Sequence, residues 1–172
     1  NIFESTLDPI KGAMSYGYSF TNNALTRVNP NSEYEGDLAE SWSISEDSLI
    51  YTFNLKKGIK FQDESDFTAE DVVFTYETVN NQADNESVDL TRLKSVEAVD
   101  DYTVKFTLSE PYSPFFDSIA LLGIVPSDAY DSKVFDKSPI GTGPWKVIQY
   151  NTDQQIIVQA YADYYEGTPE IK

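Results

Sequence analysis

The chain has 172 residues, enough for one full-sized domain with a buried core, and its 40% hydrophobic content, rich in Tyr (12) and Phe (10), is too apolar for intrinsic disorder. Twelve basic against 29 acidic side chains give a net charge of −17, which repels phosphate backbones and anionic headgroups and argues against nucleic acid or membrane surfaces as partners. With no Cys and no His, disulfides, thiolate nucleophiles, imidazole bases and the sulfur or imidazole metal sites are excluded by inventory.

No run of about 18 apolar residues occurs, so no segment reads as a membrane span. The chain opens without Met or an export signal, so Asn1 reads as a processed or trimmed start. Along the chain, Leu49, Tyr51, Phe53 and Leu55 alternate with Ile50, Thr52 and Asn54, which predicts a strand closed by the turn Lys56-Lys57-Gly58. Thr68-Ala69-Glu70-Asp71 has the form of a capping box, and Val72, Val73, Tyr76 and Val79 follow at helical spacing. A helix over 69–79 is expected, ended by Asn80-Asn81 and followed by a polar surface loop over 82–87.

Val96 to Val99 and Tyr102 to Leu108 flank Asp100-Asp101 and predict a tight hairpin. Ser113-Pro114 offers an N-cap followed by proline at the first helical position, opening a short helix with Phe115, Phe116, Ile119, Ala120 and Leu122. A brief helix is expected at 127–130. After the loop Ile140-Gly141-Thr142-Gly143-Pro144, the segments 145–150 and 155–161 form a second hairpin. Strands and helices interleaved with hairpins predict an α/β or mixed α+β domain with a mixed sheet.

Carboxylate chemistry is the enzymatic reading the inventory leaves open. Asp63, Glu64, Asp66, Glu70 and Asp71 cluster between a strand and a helix, and two carboxylates suffice for glycoside hydrolysis. Neighbours in sequence rarely face each other across a substrate, however, and Glu70 and Asp71 have a reason to be acidic in the helix first turn. Neither 63–66 nor 84–86 has the alternating ligands, central Gly and terminal Glu of a calcium loop, so no metal site is expected. Gly141-Thr142-Gly143-Pro144 lacks the Lys-Ser or Lys-Thr of a phosphate loop, and Pro144 lacks an N–H, so these glycines are read as allowing close backbone approach. Trp42 and Trp145 are expected to pack in the core.

Several strings together resemble the ABC-importer solute-binding proteins that bind peptides, nickel complexes and related solutes, extracellular solute-binding protein family 5. They are Thr6-Leu7-Asp8-Pro9, Leu38-Ala39-Glu40-Ser41-Trp42, the stretch from Tyr51 to Phe61, and the stretch from Phe67 to Tyr76. Asp101 to Leu108, Glu110-Pro111-Tyr112, Pro139 to Trp145 and Asp163-Tyr164-Tyr165-Glu166-Gly167 continue the likeness in the family's order. One departure is Gln62-Asp63-Glu64, where the family usually has His-Asp-Gly.

The resemblance implies a periplasmic-binding-protein-like type II fold, with 1–33 and 140–172 in lobe one, 34–139 as a subdomain inserted into that lobe, and the second lobe absent from this chain. It implies a protein outside the cytoplasmic membrane, periplasmic or a lipoprotein anchored upstream, that is not an enzyme and needs no cofactor. Such a protein captures oligo- or dipeptides, ahead of a nickel complex or an oligosaccharide, and delivers them to the ABC permease. The segment after Asp8-Pro9 matches the place where family members approach the ligand. This marks Ala13, Met14, Ser15, Tyr16 and Gly17 as binding residues, with a helix start as their competing use. A surface adhesion module is the rival reading from another class.

Overall fold

The computed structural model describes residues 6–12, 19–82, 88–151 and 154–170. Two short strands, β1 (Thr26–Val28) and β2 (Tyr34–Gly36), pair as an antiparallel ribbon. The strands β3 (Ala39–Ile44), β4 (Ile50–Leu55), β5 (Leu93–Asp100) and β6 (Thr103–Leu108) form a sheet in the order β3-β4-β6-β5. A second ribbon joins β7 (Trp145–Asn151) to β8 (Gln155–Ala160). The protein is mixed α/β as expected, but every strand pair among the described residues is antiparallel, so the expected mixed sheet is not formed.

The alternation in β4 and β6 decides which face is buried. Tyr51 pairs with Phe106 and Phe53 with Val104, all four on the inner face, while Thr52 pairs with Lys105 on the outer one. Helix α1 (Ala69–Asn80) lays Val72, Tyr76 and Val79 on that inner face, with the Tyr76 ring 4.8 Å from Phe106. The short helix α2 (Phe115–Leu121) adds Phe115, whose ring lies 5.6 Å from Phe106 and 5.3 Å from Tyr51. Fully burying one such side chain is worth about 1.5–3 kcal/mol, so this aromatic cluster dominates the stability of the sheet body.

Local signals set the helix ends. The Asp71 carboxylate accepts the Thr68 backbone N–H at 2.9 Å, the reciprocal half of the capping box. Its other oxygen accepts the N–H and hydroxyl of Ser127 at 2.8 and 2.9 Å, so one side chain caps α1 and fixes the loop beneath it. Two expectations fail here. Residues 127–130 form only a turn, with Ser127 held by Asp71 and Tyr130 held by Asp8 instead of by helical bonds. Ser113 is not the cap of α2, because Pro114 holds the N-cap position and no side chain caps that end. Trp42 and Trp145 are half-buried: Trp42 sits on the edge strand, stacked on Phe53 at 6.2 Å, and Trp145 opens a ribbon rather than entering the core.

Candidate functional site

Ala13, Met14, Ser15, Tyr16 and Gly17 lie outside the described residues, but both flanks of that segment are defined. Asp8 is fully buried and caps a single 3-10 turn, Pro9–Lys11, accepting the Ile10 N–H at 3.0 Å. Its second oxygen accepts the Tyr130 hydroxyl at 2.8 Å. Burial pushes the Asp8 carboxyl above its ordinary value, only partly offset by Tyr130, Ile10 and Lys11. Around it, Thr6 donates to Asp136 at 2.6 Å, Lys11 pairs with Asp136 at 2.8 Å, and the Leu7 N–H reaches the Asp136 carbonyl at 2.9 Å. Burial alone would raise Asp136, but the bonds from Lys11 and Thr6 outweigh it and hold that carboxyl below the usual range. Gly12 then turns the chain with φ 89°, a conformation glycine adopts without steric cost.

On the far flank, the Ser19 hydroxyl accepts the Thr21 and Asn22 N–H groups at 3.2 and 3.0 Å. Residues 20–23 lie flat against the glycine loop. The Gly143 N–H donates to the Thr21 carbonyl at 2.8 Å, and the Asn23 N–H donates to the Thr142 hydroxyl at 3.2 Å. The Asn22 amide donates to the carbonyls of Ile124 and Ile140 at 2.9 and 3.2 Å. A Cβ at Gly141 would stand 1.9 Å from the Thr21 oxygen, and one at Gly143 would stand 2.6 Å from the Thr21 carbonyl carbon. The glycines therefore serve close approach, as their place in the sequence predicts.

Gln62 is 4% exposed and crosses to the same loop. Its amide donates to the Gly143 and Trp145 carbonyls at 3.0 and 2.9 Å, and its backbone N–H to Gly141 at 2.9 Å. The turn beyond it is exposed: Asp63 accepts from Ser65, and Asp66 pairs with Lys60 at 2.7 Å. Glu64 holds φ 74°, the left-handed conformation that suits the glycine more usual at this place in the resembling family. Of the carboxylates proposed as a catalytic pair, Asp71 is occupied as a cap, and 63–66 face solvent. Among the described residues no group of three or more Asp, Glu, His or Cys is placed to hold a metal ion.

A pocket of about 220 Å³ lies beside this platform, walled by Ser19, Asn23, Arg27, Asp37, Pro144 and Tyr164 among others. Asp37 is 3% exposed, and burial drives its carboxyl upward against the stabilising bonds of Tyr165 and Asn23. The Asn23 amide reaches both its oxygens at 3.1 and 3.0 Å, and the Tyr165 hydroxyl donates to it as well. Arg27 serves Glu35 at 2.7 Å, Glu166 at 2.8 Å and Asp37 at 3.8 Å. Sequence reading missed Arg27 and Asp37, which sit in no periodic pattern; Tyr165 and Glu166 were visible only as part of the Asp163 to Gly167 motif.

Comparison with known proteins gives consistent findings. The family described as bacterial extracellular solute-binding proteins, family 5 Middle, matches residues 33–172. Heme-binding protein A of Haemophilus influenzae is 36% identical over 163 residues, which cover 78% of this chain and 30% of that protein. The dipeptide-binding protein of Escherichia coli is 34% identical over 162 residues, again 78% and 30%. Among solved structures, NikZ from Campylobacter jejuni in complex with Ni(L-His) superposes with a TM-score of 0.88 at 28% identity, covering 96% of this chain and 35% of that one. The chain thus spans about a third of the length of the relatives it matches.

Proposed function

Since this chain belongs to the bacterial extracellular solute-binding proteins of family 5, we propose that the protein it forms part of captures oligo- or dipeptides outside the cytoplasmic membrane and hands them to the permease of an ABC importer. The fold is that of the matched portion of these proteins, the type II periplasmic-binding class. The observation that carries the peptide reading is the 34% identity to a dipeptide-binding protein across most of the chain. No helix among the described residues is long and apolar enough to cross a membrane.

Within this reading, residues 1–33 and 140–172 belong to lobe one and 34–139 to its inserted subdomain. A ligand favours closure of two lobes only by contacting both, so this portion supplies one wall of the site. Ala13, Met14, Ser15, Tyr16 and Gly17 are its contact residues. What supports them is the stem: Asp8, Tyr130, Lys11 and Asp136 fix one flank, and the Ser19 turn on the glycine platform fixes the other. Contacts held between fixed flanks lose less entropy on binding.

Mass spectrometry of small molecules retained by the full-length protein, followed by calorimetry with defined di- to pentapeptides, tests the proposal. Peptides should be recovered and should bind with a stoichiometry of one. A metal complex recovered instead would favour the second reading, which the likeness to NikZ with Ni(L-His) supports. Turnover of a bound compound would overturn both.

A further inference from the structure

The four-stranded sheet has two edges, β3 and β5, and they are built differently. β5 carries Lys94 and shifts register twice against β6, at Leu93/Ser95 and at Ala98/Asp100. Lysines and register shifts are the features that keep an edge from accepting another strand. β3 contains neither Lys nor Pro, and past its shift between Ala39 and Ser41 the residues 41–44 pair with β4 in unbroken register. Among the described residues no strand lies on its outer side.

Beside that edge the inner face of the sheet is only partly covered. Trp42 and Ile44 share this face, Trp42 half-buried and Ile44 45% exposed. The Phe116 ring lies 5.6 Å from that of Trp42 and 5.1 Å from that of Tyr34, which is itself 37% exposed. These side chains form a contiguous aromatic shelf along the strand, whereas apolar residues scattered singly over a surface would be ordinary.

Charge selects what the shelf accepts. Edge and shelf are built from residues 28–55 and 106–132, which hold six and four Asp or Glu respectively and no Lys or Arg. Asp117 stands at the shelf, accepting the Tyr34 hydroxyl, and Glu40 is exposed in β3. Cations that flank these stretches are engaged elsewhere, Arg27 with Glu35 and Glu166, and Lys105 with Glu97. A second copy of this chain, at a net charge of −17, would bring like charge to the edge. A basic occupant meets opposite charge, and Arg and Lys are drawn to aromatic faces as well.

We propose that β3 is a docking edge for an extended, Arg- or Lys-rich segment of a partner protein, which adds as a strand outside β3 and lays side chains on the shelf of Tyr34, Trp42 and Phe116. Main-chain hydrogen bonds to 41–44 hold the segment, and the rings and carboxylates select its basic side chains. The inference does not depend on which solute the protein carries.

Hydrogen exchange measured by mass spectrometry on the full-length protein tests it, with an end-blocked hexapeptide of alternating Arg and Val as the probe and its Glu-Val counterpart as the control. The Arg-Val peptide should slow exchange across 40–44 at least about fivefold, the Glu-Val peptide should not, and the protection should shrink as salt is raised from 0.05 to 0.5 M. Ile44→Lys, which puts a charge on the exposed edge, should weaken the protection at least about tenfold. Tyr34→Lys gives the same reading should Ile44→Lys fail to fold. Protection by both peptides alike, protection only in other segments, or protection that survives both variants would overturn the proposal. So would 40–44 already as protected as β4 in the free protein, which would mean that the protein's own chain covers the edge, or a dimer in sedimentation that Ile44→Lys abolishes, which would make a second copy the occupant.

Discussion

Gly141 lies against Thr21 so closely that a methyl group on its Cα would stand 1.9 Å from the Thr21 carbonyl oxygen. That oxygen is already fixed, because it accepts the Gly143 N–H at 2.8 Å. Backbone on both sides means that neither neighbour can give way as a flexible side chain would. Gly141→Ala should therefore cost more than the about 1–3 kcal/mol of ordinary overpacking, read as a fall in the urea midpoint. Gly58→Ala supplies the contrast. Gly58 has φ 77° but open space around it, so Ala there adds only backbone strain of about 1–2 kcal/mol. Equal costs at the two positions would show that the loop can move away.

Glu64 presents the converse case. At φ 74° a non-glycine residue carries about 1–2 kcal/mol of strain, whereas glycine costs about 0.5–1 kcal/mol in unfolded-chain freedom. Glu64→Gly should leave the protein unchanged or up to about 1 kcal/mol more stable in urea unfolding. A loss above that would mean the side chain contributes something the exposed turn does not reveal.

Gln62 is the buried link between the sheet body and the glycine loop. Gln62→Leu keeps the volume and removes both donors, leaving the Gly143 and Trp145 carbonyls without this partner, which should cost about 1–3 kcal/mol. Gln62→His retains a ring donor and should cost less. Thermal unfolding of the two variants, compared with wild type, gives the order directly.

Asp8 sets a pH dependence with a definite sign. Its folded carboxyl is raised above 3.8, mainly by burial, so between 3.8 and that raised value the native state binds the proton more tightly than the unfolded chain. Stability from this group consequently falls as pH rises through that window. Asp8→Asn keeps an oxygen for the Ile10 N–H and turns an amide donor toward the Tyr130 hydroxyl, without the charge, so its melting temperature relative to wild type should climb between pH 4 and pH 7. A difference that stays flat across that range would show that Asp8 titrates normally.

Tyr76 buries a hydroxyl with no hydrogen-bond partner among the described residues, with its ring against that of Phe106. Burial pushes its phenol far above the ordinary value. Tyr76→Phe deletes an unpaired polar atom while keeping the ring, so it should be neutral or stabilising by about 1 kcal/mol, measured as the urea midpoint.

Wherever one structural period governed a segment, the sequence by itself determined the outcome. Strict alternation named the inward residues of β4, Asp100-Asp101 marked the hairpin of β5 and β6, Thr68 and Asp71 marked the start of α1, and the glycines of 141–143 announced a close approach. Short or interrupted elements escaped. In β3 the register shifts between Ala39 and Ser41, so Ala39 and Trp42 break the period of two, and β1 and β2 are three residues each. Tertiary structure alone decided the burial of Asp8 and Asp37, the half-exposure of Trp42 and the turn at 127–130. Asp8 meets Tyr130, and Asp37 meets Tyr165, more than 120 residues away. Local patterns encode which face of an element is apolar, but a buried carboxylate is tolerated only where distant donors converge on it, and that convergence exists only once the chain has folded.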